Sequence, residues 1–197
     1  MVALLESVIG HKALIKNLRE AVSTKRLRGT HLFAGPSGVG KKMIALGLAQ
    51  VYLCPERQNA QACGQCPSCL KIQKQQSESV FLLKPEGAQI KIDEVRALID
   101  FLSLKSWHNG QVVIIDGAET LNSQAANALL KSLEEPPEST LIFLITSTAS
   151  ALLPTVRSRC QLWRFSPLSF AELKSLTNGP DWLVEAAQGS LELAQVF

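Results

Sequence analysis

An apolar run at residues 30–34 breaks directly into Gly35-Pro36-Ser37-Gly38-Val39-Gly40-Lys41. From Lys41 onward Ile44, Leu48, Val51 and Tyr52 recur at the spacing of one helix face. A strand that turns through three glycines into a helix lets backbone N–H groups curl inward, and the helix N-terminus adds positive potential. That is a phosphate cradle, with Lys41 placed to reach the β- and γ-phosphates of a bound ATP or ADP. Gly35, Ser37, Gly38, Val39, Gly40 and Lys41 are therefore the candidate nucleotide-binding residues; the bland alternative is a glycine-rich turn with no ligand. The next position normally carries a Ser or Thr hydroxyl that ligates Mg²⁺. Here it is Lys42. An ammonium repels a divalent cation, so the cradle lacks its metal hook.

The rest of the chain repeats the alternation of strand and helix. Helical spacing recurs over residues 12–24, and Val95, Leu98, Ile99 and Leu102 form a clean i, i+3, i+4, i+7 set. Asp93 and Glu94 suit the positive N-terminal end of that second helix. Strand-sized apolar runs lie at residues 80–83, 112–115 and 140–145, with a last strand at 161–165. Asn122 is placed to cap a helix facing inward through Ala126, Leu129, Leu130 and Leu133, which stops at Pro136-Pro137. Pro154 suits the first turn of a short helix. Such alternation predicts an α/β fold: a P-loop core whose parallel sheet is sandwiched by helices.

After Ser166-Pro167 only helical patterns follow, opening with the capping box Ser169-Phe170-Ala171-Glu172. The expected organisation is a core over residues 1–166 and the start of a small helical lid over 167–197. At 46% hydrophobic and 19% charged, the 197 residues can bury a sizeable core, which excludes a disordered chain. The net charge of +3 is too weak to argue for nucleic acid or an anionic membrane by itself. No apolar run approaches the roughly 20 residues of a membrane span. The N-terminus has no basic flank or long apolar run, so no signal peptide is read and a cytoplasmic location is expected.

Four of the five cysteines share one window: Cys54, Cys63, Cys66 and Cys69. The C-x8-C-x2-C-x2-C spacing suits a tetrahedral Zn²⁺ site, and four thiolates leave no open position, so the metal would be structural. The window, residues 54–69, interrupts the alternation as an inserted module. A disulfide pair would need an oxidising compartment, four free thiols are the other alternative, and iron also accepts four thiolates. Cys160 stands apart and is expected as a small buried hydrophobe at the start of a strand.

Asp116 ends the 112–115 run where an aspartate would support Mg²⁺ through water. An ATPase of this type needs a glutamate beside it, but Gly117 follows. Glu119, three positions on, is expected to point elsewhere. A solvated strand end and a helix cap are the plain alternative for the two carboxylates.

Together with this loop and the four-cysteine insert, Asn127-Ala128-Leu129-Leu130-Lys131-Ser132-Leu133-Glu134-Glu135-Pro136-Pro137 and Ser158-Arg159-Cys160 resemble the AAA+ clamp-loader family. The spacing from Thr146 through residues 152–160 is most similar to its ATPase-degenerate, delta-prime branch in bacterial DNA polymerase III. The resemblance implies a non-hydrolysing subunit that supports ATP-dependent loading of the sliding clamp onto primed DNA. It places Thr146 at the sensor-1 position and Arg159 at the arginine finger, which acts in trans on a neighbour's ATP; a surface salt bridge is the alternative for Arg159. Arg157 is read as an ordinary surface charge. Gly189-Ser190-Leu191-Glu192 resembles the sensor-2 segment, with Glu192 where active members carry Arg. The implied partners are the ATPase motor subunit, the clamp-opening subunit and, through the complex, the clamp and primer–template DNA, with no membrane. The family continues beyond Phe197 into a collar, so tight self-assembly through a collar is not expected.

Two other functions compete. A true motor ATPase of the gamma/tau type would use Glu119 as its missing glutamate, against Lys42 and Glu192. A zinc-dependent DNA-binding module would need a basic stripe or aromatic platform beside the cysteines, and neither is present.

Overall fold

The computed structural model describes residues 2–24, 27–104, 110–177 and 179–195. Five parallel strands form one sheet: β1 (Gly29–Ala34), β2 (Val80–Leu83), β3 (Gln111–Asp116), β4 (Thr140–Thr146) and β5 (Gln161–Arg164), in the order β2-β3-β4-β1-β5. The helices of the core are α1 (Lys12–Ser23), α2 (Lys41–Leu53), α3 (Pro67–Gln73), α4 (Ile92–Ser103), α5 (Ser123–Glu134) and α6 (Pro154–Arg157).

Period-two alternation assigns each strand residue to a layer. Phe33, Val112, Ile114, Leu141, Phe143 and Ile145 pack in one cluster with residues of α1, α2 and α3. Leu32, Val113, Ile115, Ile142 and Leu144 pack in a second cluster with α4, α5 and α6. Every residue of β4 is buried, as a central parallel strand covered on both faces must be. β5, at the edge, is mostly exposed, so the apolar pattern there is weakest.

Local chemistry accounts for the helix ends. Asn122 caps α5 by accepting the Ala125 N–H at 2.8 Å, as its position predicts. Pro154 occupies the first turn of α6. One expectation needs correction: α2 is buried on nearly all sides, not along one face, and Tyr52 of the predicted face is only half-buried. The sheet, α1, α3 and the N-terminal turn Leu4–Ser7 enclose the helix together. Cys160 likewise is half-buried, one residue ahead of β5, with its thiol on the Val156 carbonyl at 3.1 Å.

Beyond β5 lie α7 (Phe170–Leu176), α8 (Asp181–Ala186) and α9 (Leu191–Ala194). The Ser169–Glu172 capping box forms in full at the start of α7. Leu168, Leu173, Val184, Ala187 and Ala194 make a small apolar cluster of their own. Of the predicted helical region, residues 178, 196 and 197 lie outside the described residues. No helix among the described residues is long and apolar enough to cross a membrane.

Candidate functional site: the phosphate loop and the cysteine cluster

Successive strands reach opposite sides of β1: the chain leaves β1 for the far edge at β2 and returns to the other flank as β5. The C-terminal ends of β1, β3 and β4 therefore border a crevice, the usual ligand position of an open α/β sheet. A cleft of about 730 Å³ lies there, lined by Ser37, Gly38, Gly40, Lys41, Lys42, Asp116, Glu119, Thr146, Ser147 and Glu192 among others. Ser37, Gly38, Gly40, Lys41 and Thr146 thus come together as predicted. Gly35 and Val39 belong to the loop but not to the cleft wall; the Val39 side chain is buried in the core.

The loop keeps the geometry of an anion cradle. Gly40 precedes α2 at φ 94° with open space where a Cβ would stand. The N–H groups from Gly38 to Met43 have no acceptor among the described residues. Gly38 sits at φ 71°, and a Cβ there would lie 2.6 Å from the Glu192 nitrogen and against Ser190 Oγ. The backbone ahead of α9 closes on the loop, with the Leu191 N–H donating to the Gly38 carbonyl at 3.1 Å.

The charged groups of the cleft are largely engaged with the protein itself. Lys41, 7% exposed, donates to the Gly35 and Pro36 carbonyls at 2.6 Å each. Burial lowers its pKa, with the Glu119, Asp116 and Glu192 carboxylates acting in the opposite direction. Lys42 Nζ lies 3.2 Å from Asp116 Oδ2. A 3₁₀ turn at Ala118–Thr120 swings Glu119 back into the cleft, contrary to the expectation that it points away. There its Oε1 accepts the Ser147 N–H at 3.0 Å and the Ser147 hydroxyl at 2.7 Å. Burial raises the Glu119 pKa, but these hydrogen bonds outweigh it and hold the group below its ordinary value. Thr146 is buried, and its hydroxyl closes a local turn on the Thr148 backbone at 3.1 Å.

Sequence reasoning missed Ser147, which has no signal beyond following Thr146, and His11. His11 lies 28 residues before Val39, yet its Nε2 meets the Val39 carbonyl at 3.0 Å and its ring packs edge-on against Phe165.

Arg159 stands apart from this cleft, just beyond α6. Its Nε and Nη2 both lie 3.0 Å from Glu134 Oε2, and its Nη1 donates to the Thr155 carbonyl at 3.0 Å. Arg157 is exposed and has no ion pair among the described residues, in keeping with an ordinary surface charge.

At the other end of α2 the four predicted cysteines converge. Cys54 caps α2, Cys66 precedes Pro67 at the start of α3, and Cys69 lies within α3. All four sulfurs lie within 4.8 Å of one another. Cys54–Cys63, Cys54–Cys66 and Cys63–Cys69 are 3.6, 3.9 and 4.0 Å apart, with all four cysteines as free thiols and no disulfide. Hydrogen bonds from the Gln65 and Cys66 backbone hold the Cys63 thiol low, whereas burial pushes Cys66 and Cys69 up. Buried thiolates of this kind need a cation to stay ionised, and the cluster has the ligands to hold a metal ion. Gln50, fully buried, ties the module down by donating to the Cys69 carbonyl at 2.9 Å and accepting the Leu4 N–H at 2.8 Å.

Comparison with known proteins agrees with this geometry. Residues 10–169 match the family model described as DNA polymerase III, delta subunit. A delta-prime subunit from Pseudomonas aeruginosa is 39% identical over 170 residues, 83% of this chain and 52% of that protein. A tau subunit from Bacillus subtilis is 31% identical over 194 residues, 95% of this chain and 34% of that protein. The chain spans about half the length of the delta-prime relatives it matches. A DNA polymerase III gamma subunit-related protein from Thermotoga maritima superposes with a TM-score of 0.63 at 24% identity, over 92% of this chain and 57% of that one, which shows the AAA+ fold. The matched span, the relatives and the fold concur: the chain belongs to the DNA polymerase III delta-subunit family, as a delta-prime-like clamp-loader subunit.

Proposed function

We propose that the chain is a non-hydrolysing subunit of the clamp loader, which supports ATP-dependent loading of the sliding clamp onto primed DNA by donating Arg159 to ATP held on a neighbouring motor subunit. The observation that carries this reading is the contrast between the two charged sites. In the cleft, the ammonium of Lys42 stands where a metal-binding hydroxyl is needed and pairs with Asp116, and Oε1 of Glu119 is taken by Ser147. Arg159 lies outside that cleft, where it has no part in the chain's own catalysis. A guanidinium suits the role because it stays charged and offers a planar fork to the phosphate. Its hold on Glu134 is a partly exposed pair, weak enough to be exchanged for a phosphate.

The partners in this reading are the motor subunit and the clamp-opening subunit, with the clamp and primer–template DNA reached through the complex in the cytoplasm. Thr146 is assigned the sensor-1 position without a hydrolytic role, since its hydroxyl already closes its own turn. The residues from 167 onward are the start of the lid, and residues 54–69 are a zinc insert in the core of 1–166. Zinc is supported by the sulfur separations: a tetrahedron with Zn–S of about 2.3 Å has edges of roughly 3.8 Å.

Arg159→Ala in a reconstituted complex is expected to lower DNA-stimulated ATP turnover by the motor neighbour by roughly 10³-fold or more. Arg159→Lys should recover little of it. Unchanged turnover would overturn the assignment.

A further inference from the structure

A divalent ion does not fit the cleft's donor set. The position that would offer a hydroxyl offers an ammonium, and that ammonium is placed 3.2 Å from the carboxylate that would support the ion. The side chains of Lys42 and Asp116 are 35% and 31% exposed, so the pair lies in the cleft wall and not out in solvent. The anion cradle beside it is intact, with its unpaired N–H groups and with Lys41 resting on loop carbonyls that it can leave for a phosphate oxygen.

We propose that Lys42 is a built-in replacement for the metal, so that this loop takes a nucleoside diphosphate without Mg²⁺. Lys42 neutralises Asp116, the task of the ion, and leaves Lys41 and the loop N–H groups to hold the phosphates. Two lysines face three carboxylates in the cleft wall: Asp116, Glu119 and Glu192. Glu192 is exposed at the cleft and interacts with Lys41. Without a metal to screen it, the further charge of a triphosphate is repelled, so the diphosphate is the favoured form. This inference rests on the loop as a phosphate cradle and not on the donation of Arg159.

The test is titration calorimetry of the whole chain with ADP and with ATP, in Mg²⁺ and in EDTA. ADP should bind with equal affinity in both buffers and more tightly than metal-free ATP, and Lys41→Ala should abolish binding. Lys42→Thr should weaken binding in EDTA by roughly tenfold and regain it when Mg²⁺ is added. Lys42→Arg, which keeps the charge, should bind as the parent chain does; circular dichroism confirms that each variant is folded. A roughly tenfold gain with Mg²⁺ in the parent chain would overturn the proposal. So would Mg²⁺-indifferent binding by Lys42→Thr, or the absence of ADP binding in both buffers. Failure here leaves the neighbour's dependence on Arg159 as a separate question.

Discussion

One helix, α2, joins two regions that solve the same electrostatic problem in opposite ways. At its N-terminal end the phosphate loop and cleft gather lysines and carboxylates that find most of their partners within the chain: Lys42 with Asp116, Lys41 with the Gly35 and Pro36 carbonyls, Glu119 Oε1 with Ser147. At its C-terminal end four sulfurs gather, and among the described residues only backbone N–H groups and one another are within their reach. The first region pairs most of its charged side chains from within, and leaves its loop N–H groups and Glu119 Oε2 open. The second has the ligands to hold a cation from outside. The difference between the two lies in which partners the side chains already have, and not in the mere clustering of charged or soft groups.

The comparison can be broken first at the cysteines. Cys69→Ala, or a strong chelator, should remove a cation on which buried thiolates depend, with a loss of more than about 4 kcal/mol and release of α3 from its packing. Thermal melts beside metal analysis check this; a bound metal whose removal leaves the melt unchanged would refute the dependence.

The sheet face beneath α2 must be separated from either region before acid is used as a probe. His31 lies there, fully buried, accepting the Trp163 indole N–H at 3.3 Å and packed on Phe143. Burial pushes it down from 6.5 to about 4. Between those values the unfolded chain binds a proton that the folded chain refuses. Stability is therefore complete above about pH 6.5 and falls as the pH drops towards 4, by on the order of 3 kcal/mol. Denaturant melts across that range should show the slope, and His31→Gln should remove it.

The smaller effect lies at the loop. Gly38→Ala places a Cβ against Ser190 and Glu192 at a left-handed φ, which should cost about 1–3 kcal/mol. The cost should appear as faster hydrogen exchange at Leu191, whose N–H rests on Gly38, with the cysteine module unaffected. Exchange that also rises in α3 would mean that the two ends of α2 are not independent.

Much of this was legible in the sequence for physical reasons. Residues 112–115 and 141–145 are apolar without interruption because strands covered on both faces have no solvent side, whereas the strand order β2-β3-β4-β1-β5 has no local sequence signal and came from the structure. The four cysteines and the glycine loop are local in sequence, so their spacing alone specified each cluster. Lys42 and Gly117 could be seen as departures, but not that Lys42 reaches Asp116, a contact across 74 positions set by the sheet. Glu119 was misjudged because a strand's direction was extended through what is a 3₁₀ turn. His11 and Ser147 were invisible, since one polar residue carries no periodic signal.

With Lys42 on Asp116 and Ser147 on Glu119, this cleft is expected to have given up hydrolysis. Steady-state ATP hydrolysis by the purified chain with Mg²⁺, beside Lys41→Ala, tests it most directly. Equal rates are expected for the two proteins. Turnover clearly above the Lys41→Ala control would contradict it, and would assign Glu119 the part of the missing glutamate and the chain the part of a motor.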